Sequence, residues 1–372
     1  MRLLYFSRDY TTHDYRFLSK LAGSNHEVFY LRLENGKILY EQRALPKVIH
    51  SVDWPGGKEN ESSPDSWLKL LANFESVLSD LQPDLIHAGP VQTCGYLTAT
   101  VDFHPFMLAS WGSDILVDAE RDEKLSQITN YTLKRSDMLL CDCQAVRNKV
   151  QQLITYMDDR IVQFPWGVDL NQFRQMPGST EFRKKLGWED DFIILSTRSW
   201  EQIYGIDVVL QCFRQAYFRN SNLRLLLLGE GSQAGKIKKY INQHDLSKVI
   251  SCPGIVPEKL LPEYFSAADL YLTCSQSDGT SISLLQALAT GLPVVATDIP
   301  GNREWIQPDR NGWLAPSNDW ESFANIIHLS SKLSPIERNQ IAEINRQIAT
   351  ERANWDVNFN KLLVAYDRLL PN

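Results

Sequence analysis

Residues 275–305 read SQSDGTSISLLQALATGLPVVATDIPGNREW, and they decide the fold because they predict a polar turn, a helix and a buried strand in succession. The helix is indicated by apolar residues at mixed three- and four-residue spacing: Ile282, Leu284, Leu285 and Leu288. Gly291 followed by Pro293 is a typical helix stop signal. The run 294–296 then predicts a strand inside an α/β core.

The polar turn before this helix predicts an anion-binding site. Residues 277–281 are small and polar, so their backbone N–H groups and the positive end of the helix dipole suit a phosphate group. Asp278 and Gln286 are eight residues apart, about two helical turns, and can contact two parts of one ligand.

Composition limits the class of protein. A chain of 372 residues suits two domains, and 43% hydrophobic with 22% charged residues is normal for a globular protein. The net charge of −7 disfavours nucleic acid as a partner. We expect no membrane span and no secretory signal, because the apolar runs are too short. The six cysteines lack disulfide or metal-site spacing, which favours structural cysteines and a cytoplasmic location.

Strand-like runs alternate with amphipathic helices in both halves, which predicts doubly wound α/β architecture twice over. The predicted strands are residues 3–6, 27–33, 84–88, 106–110, 137–141, 160–164, 192–196, 223–228, 249–252, 270–273 and 294–296. We also predict one helix over residues 67–81 and a surface loop over 52–65.

Clusters of Pro, Gly and Ser at 165–169 and 177–180 predict the joint between the domains. We therefore assign residues 1–168 to an N-terminal domain and 169–354 to a C-terminal domain. Residues 355–372 are predicted to form a helix that packs back on the N-terminal domain.

Two other phosphate motifs are excluded. The first strand is followed by Ser7-Arg8-Asp9 without the glycines of a dinucleotide-binding loop. A P-loop ending at Gly235-Lys236 would need glycine where Glu230 stands, and Ile237 cannot bind magnesium. Oxidoreductase and ATPase functions are therefore disfavoured.

The segment after Asp278 resembles the donor-sugar signature of family 4 glycosyltransferases, which are retaining enzymes of the GT-B fold. That signature is Glu-x7-Glu followed by Ala-x-Ala-x-Gly-x-Pro-Val-Val-Ala-Thr. Here Asp278 and Gln286 stand at the two acidic positions, and the downstream match is residues 287–297. The resemblance implies two Rossmann-like domains facing across a cleft, with the N-terminal domain binding the acceptor and the C-terminal domain binding the nucleotide-sugar donor.

Further positions match the family's pattern. Arg198 stands where the family has a diphosphate-facing arginine, whereas Tyr204 lies near the position of a missing lysine. The glycine-rich turn at 229–231 and the segment at 254–256 beside the nucleobase also match. Residues 111–114 resemble an N-domain His-Gly-Ser-Asp motif with tryptophan in place of histidine.

The resemblance implies a metal-independent, hexosyltransferase-like enzyme that moves a sugar from a nucleoside diphosphate donor, most commonly a UDP-sugar, to an acceptor hydroxyl. The residues expected in catalysis are Arg198, Asp278 and His13. Those expected at the donor are Tyr204, Glu230, Ile255, Gly279, Thr280, Ser281 and Gln286. Those expected on the acceptor side are Arg8, Asp9, Trp111 and Asp114. We expect no metal and no cofactor beyond the donor.

The family's common bacterial role suggests polysaccharide or glycolipid assembly, with a glycan or lipid-linked acceptor and contact with the inner membrane face. Alternatives are a non-catalytic nucleotide-sugar-binding protein and a nucleotide-sugar 2-epimerase. Single residues also have plainer interpretations. Asp278 and His13 could cap helices, Arg198 could form a surface ion pair and Glu230 could be a turn residue. Trp111 could serve only in packing.

Overall fold

The computed structural model describes residues 1–34, 41, 43–56, 63–174 and 179–370, except for the side chain of residue 179. The chain divides into two compact units. One is Met1–Phe164 together with Phe359–Asn372, and the other is Pro165–Asn358. Residues 57–62 of the predicted loop and residues 177–178 of the predicted joint lie outside the described residues.

The first unit contains a seven-stranded parallel sheet in the order β3-β2-β1-β4-β5-β6-β7. Its strands are β1 Arg2–Ser7, β2 Glu27–Arg32, β3 His50–Ser51, β4 Leu85–Gly89, β5 Phe106–Ala109, β6 Met138–Cys141 and β7 Ile161–Gln163. Its helices are α1 Thr12–Leu21, α2 Pro64–Leu68, α3 Leu71–Leu81, α4 Tyr96–Thr100, α5 Ser113–Leu116, α6 Glu123–Arg135 and α7 Gln144–Leu153. A π-helical turn occupies Val91–Gly95.

The second unit contains a six-stranded parallel sheet in the order β10-β9-β8-β11-β12-β13. Its strands are β8 Phe192–Ser196, β9 Leu223–Leu228, β10 Ile250–Gly254, β11 Leu270–Thr273, β12 Val294–Thr297 and β13 Gly312–Ala315. Its helices are α8 Ser179–Leu186, α9 Ile206–Arg219, α10 Ala234–Gln243, α11 Leu261–Ala267, α12 Ile282–Thr290, α13 Pro300–Arg303, α14 Trp320–Ser330 and α15 Pro335–Arg352. A last helix, α16 Trp355–Leu369, crosses the border between the units.

The α/β prediction is confirmed, and every predicted strand overlaps an observed one. The sequence missed β3 and β13, which have two and four residues. The helix predicted over residues 67–81 is wrong as one element. The chain forms α2 and α3 instead, with a break between them at residues 69–70.

The polyleucine strand β9 shows why the second sheet is buried on both faces. Leu225 and Leu227 pack in one hydrophobic cluster, whereas Leu226 and Leu228 pack in another. Successive side chains of a strand point to opposite faces, so the two clusters cover the two faces of the sheet. Full burial of each leucine contributes about 1.5–3 kcal/mol.

The carboxyl ends of the strands are where an open α/β sheet binds ligands, at the point where strand order reverses. In the second unit this point lies between β8 and β11, and in the first between β1 and β4. The helix α12 begins just beyond β11, with Ser281 as its N-cap and Gly291 as its left-handed C-cap. The turn, helix and strand predicted over residues 275–305 are therefore confirmed.

Candidate functional site

The candidate site of the second unit lies at the switch point between β8 and β11. Arg198 follows β8 by two residues, and Asp278 follows β11 by five. The two loops bring these side chains together, and Nη2 of Arg198 lies 2.8 Å from Oδ2 of Asp278. The pair is largely buried, with side chains 12% and 17% exposed. It is therefore no surface ion pair.

Arg198 is held by three further groups. Its Nη1 donates to Oγ of Ser281 at 2.9 Å and lies 3.4 Å from Oγ of Ser283. Its guanidinium carbon lies 4.1 Å from the centroid of the Tyr204 ring, which is cation–π geometry. Its Nε is buried and has no hydrogen-bond partner within the part of the chain that the structure describes.

The ionisation of the pair follows from its burial. Burial alone would lower the pKa of Arg198, but the Asp278 carboxylate and the hydroxyls of Tyr204 and Tyr271 together outweigh this, so the pKa is raised. Burial raises the pKa of Asp278, while Arg198, the Gly279 backbone and Ser281 oppose that shift. The site thus contains a permanent cation beside a carboxylate whose charge depends on its partners.

A buried polar layer lies next to the arginine, and sequence reasoning found only Ser281 of its three members. The hydroxyl of Tyr271 on β11 donates to Oγ of Ser283 at 2.8 Å, and Ser283 lies 3.2 Å from Ser281. Ser281 also accepts from the backbone N–H of Leu284 at 3.4 Å. Ser281, not Asp278, is therefore the helix cap, which corrects the plainer interpretation of Asp278.

Helix α13 packs against the predicted anion-binding turn of residues 277–281 (the anion turn). A Cβ atom on Gly301 would lie 2.4 Å from the carbonyl oxygen of Gly279 and 2.6 Å from that of Asp278. Only glycine allows this close approach of backbone to backbone. Gly279, Thr280 and Ser281 are all buried, so the turn has little room to move.

The loops after β8 and β9 are joined by main-chain hydrogen bonds. The Trp200 N–H donates to Glu230 O at 2.9 Å, and the Gln233 N–H donates to Trp200 O at 2.9 Å. Glu201 accepts from the Ser232 N–H at 2.8 Å and from the Ser232 hydroxyl. Trp200 and Glu201 therefore fix the glycine-rich turn relative to Arg198, a part that sequence reasoning missed.

The remaining donor-side candidates have different environments. Glu230 is 39% exposed and lies 3.2 Å from Nζ of Lys238, so its carboxylate is partly neutralised. Ile255 is 78% exposed after β10, as an apolar contact for a planar base would be. Gln286 is 6% exposed and lies on α12, one turn past Ser283.

In the first unit, Arg8 and Asp9 follow β1 at its switch point. Nε of Arg8 donates to Oε1 of Glu34 at 2.6 Å, and the Glu34 side chain is 7% exposed. Burial, followed by the charge of Glu34, raises the pKa of Asp9 to about 6. Glu34 is separated from Arg8 by 26 residues, and sequence reasoning did not find this pair.

His13 and Trp111 lie side by side, with ring centroids 5.5 Å apart. His13 does not cap its helix, because the capping box of α1 is formed by Thr11 and Asp14. Asp114 is 3% exposed. Its carboxylate accepts from Ser110 Oγ at 2.7 Å and from two backbone N–H groups. Its oxygens are therefore engaged in fixing the loop that carries Trp111.

Among the described residues, no group of three or more His, Cys, Asp or Glu side chains is arranged to hold a metal ion. No helix in the described part of the chain is long and apolar enough to cross a membrane. Five of the six cysteines are buried, and Cys252 is exposed.

Comparison with known proteins identifies the family of both halves of the chain. Residues 178–348 match the family described as glycosyl transferases group 1, and residues 2–143 match glycosyl transferase 4-like. The amylovoran biosynthesis glycosyltransferase AmsK of Erwinia amylovora is 28% identical over 182 residues, which cover 47% of this chain and 43% of that protein. The matches span about half the length of the first curated relatives.

Two solved structures share the fold over nearly the whole chain. Sucrose-phosphate synthase from Thermosynechococcus elongatus gives a TM-score of 0.85 at 15% identity, covering 99% of both chains. Anabaena HepE in complex with UDP-glucose gives 0.80 at 18% identity, covering 99% of this chain and 100% of that one. Because its N-terminal half matches glycosyl transferase 4-like and its C-terminal half matches glycosyl transferases group 1, the chain belongs to this family of glycosyltransferases with the GT-B fold.

Proposed function

We propose that this protein is a retaining glycosyltransferase that moves a sugar from a nucleoside diphosphate sugar to an acceptor hydroxyl without a metal ion. The observation that carries the proposal is the meeting of Arg198 with the turn at Asp278 and the start of α12. A buried cation beside a helix N-terminus suits a diphosphate. UDP-glucose, the ligand of the HepE complex, is the first donor to test.

The chemistry follows from where charge develops. As the bond between the sugar C1 and the phosphate oxygen breaks, the leaving diphosphate gains negative charge. Arg198 and the N–H groups of residues 279–281 would stabilise it, and loss of one such group typically costs about 10²–10³ in rate. The Nε of Arg198 has no hydrogen-bond partner among the described residues, which supports a functional role, since a buried donor without a partner carries an energetic cost.

Retention of configuration requires the acceptor to attack on the face that the diphosphate leaves. The acceptor oxygen forms the new bond to C1, and a leaving phosphate oxygen takes the acceptor's proton. No enzyme nucleophile is needed in this scheme. Asp278 would hold sugar hydroxyls and Gln286 the ribose, while Tyr204, Glu230 and Ile255 complete the donor site.

We assign acceptor contacts to the first unit, at the carboxyl ends of its strands. Arg8 and Asp9 offer a charged pair for hydroxyls, and the neighbouring rings of His13 and Trp111 offer a surface on which a sugar can stack. Asp114 would act indirectly, by fixing the loop that carries Trp111. AmsK's part in amylovoran biosynthesis supports a glycan acceptor in bacterial polysaccharide or glycolipid assembly.

The first test is ligand-induced stabilisation, measured with and without EDTA, by UDP, GDP, ADP and their glucose conjugates. Ligand at a hundred times its dissociation constant adds about 2.7 kcal/mol of stability. We expect one base to raise the melting temperature by several degrees. Absence of any shift, or a shift that EDTA abolishes, would contradict the proposal.

The second test replaces the cation. Arg198→Ala should lose most of the nucleotide release from the donor, measured with a coupled assay. Arg303→Ala is the matched control, since Arg303 forms an ion pair on the same unit but is 60% exposed. The wild type could also bind the donor but neither release the nucleotide nor transfer the sugar to any acceptor of a panel. That result would instead favour a binding protein. Proton NMR of the first product reports its anomeric configuration.

A further inference from the structure

Asp278 and a donor diphosphate would compete for the same guanidinium. The Asp278 carboxylate is 2.8 Å from Nη2 of Arg198, and Nη1 is bound to serine hydroxyls. Both terminal nitrogens are thus engaged within the protein. An incoming phosphate oxygen can contact the remaining Nε of Arg198 and share the cation with the carboxylate, or it can displace the carboxylate from Nη2.

Sharing is unfavourable because the site is largely buried. A carboxylate and a diphosphate around one guanidinium place like charges side by side, which costs much more in a partly desolvated site than in water. Moving away also has a cost, since Asp278 then leaves the partner that offsets its burial. The balance depends on whether the ligand supplies Asp278 with new hydrogen-bond donors.

We propose that Asp278 is a specificity residue that disfavours the nucleoside diphosphate product relative to the sugar-bearing donor. The donor's sugar hydroxyls give the displaced carboxylate new hydrogen bonds. The product has no sugar and leaves the carboxylate competing for Arg198, which assists product release. This inference rests on the proposed function, since it requires that the site binds a nucleoside diphosphate sugar.

The test compares dissociation constants for UDP and UDP-glucose by titration calorimetry in wild type and Asp278→Asn. If the thermal screen selects another base, its diphosphate and glucose conjugate replace this pair. We expect Asp278→Asn to bind the diphosphate about tenfold more tightly and the sugar conjugate no more tightly, because a like charge is removed. Asp298→Asn is the matched control, since Asp298 pairs with Arg303 at the surface of the same unit.

The outcomes separate the two proposals. If both affinities change together, or neither changes, Asp278 does not discriminate and this inference is wrong while the proposed function stands. If wild type binds neither ligand, the proposed function fails and this inference fails with it. Should Asp278→Asn melt below the assay temperature, Asp278→Ser gives the same comparison with a smaller neutral side chain.

Discussion

The Gly301→Ala variant tests whether close packing holds the anion turn in place. The new methyl group would lie 2.4 Å from the carbonyl oxygen of Gly279 and 2.6 Å from that of Asp278. Ordinary van der Waals contact begins near 3.4 Å, so one of the two backbones has to move by about 1 Å. Neither contact is with a flexible side chain that could turn aside.

Stability and turnover should respond very differently to this movement. Overpacking of a tight interior costs about 1–3 kcal/mol, which lowers the melting temperature by roughly 2–4 °C per kcal/mol in a unit of this size. The same displacement shifts Asp278 and Gly279 relative to Arg198. A misplacement of about 1 Å can cost about 10²-fold in rate, so turnover should fall far more than stability does.

Thermal melting and donor turnover measured on the same preparations test this expectation. Gly235→Ala is the matched control, because a Cβ at Gly235 meets no atom of the described residues within 4 Å. Gly235 lies in α10, where alanine is favoured over glycine by about 0.5–1 kcal/mol, so that variant should be at least as stable as wild type. Wild-type turnover in Gly301→Ala would refute the close-packing argument. Equal losses of turnover in Gly301→Ala and Gly235→Ala would refute it as well.

Three other perturbations test separate parts of the molecule. The raised pKa of Asp9, about 6 against an ordinary 3.8, means that ionisation opposes folding. Wild type should therefore lose about 1 kcal/mol relative to Asp9→Asn as pH rises from 4 to 7, after allowance for solvent screening, and pH-dependent melting measures this. Glu201→Gln should weaken the hydrogen bond from the Ser232 N–H and reduce donor affinity, measured by calorimetry, several-fold, with little change in melting temperature. Tyr366→Phe removes the hydroxyl 2.6 Å from buried His87 and should cost about 1–2 kcal/mol in denaturant unfolding without changing donor affinity.

Local patterns in the sequence were enough to predict the α/β architecture of both halves, whereas the placing of Arg198 and the Asp278 turn at one site rested on the family resemblance. Each residue follows a strong strand, and parallel strands end at one edge of the sheet. The prediction failed where an element was short or a helix was interrupted. Strand β3 has two residues and cannot show a period, and the break between α2 and α3 carries no Pro or Gly to signal it.

The polar groups behind the site were not predictable, because their partners are distant in the chain. Tyr271 is fully buried on β11 and is indistinguishable by sequence from a core aromatic residue, yet its hydroxyl supports Ser283. Glu34 pairs with Arg8 across 26 residues, and Glu201 binds Ser232 across 31. Which acidic side chain faces inward depends on three-dimensional packing and not on local spacing.

The departures from the family signature compensate each other in charge. The family's pattern has a lysine near the position of Tyr204 and a glutamate at the position of Gln286, so one positive and one negative charge have been replaced by neutral groups. The Tyr204 ring keeps Arg198 oriented through its cation–π contact without adding a charge. A glutamate at the 6% exposed position of Gln286, without that lysine, would add an anion near the proposed diphosphate site. The two replacements are therefore consistent with a donor site that keeps its overall charge rather than with one that has decayed.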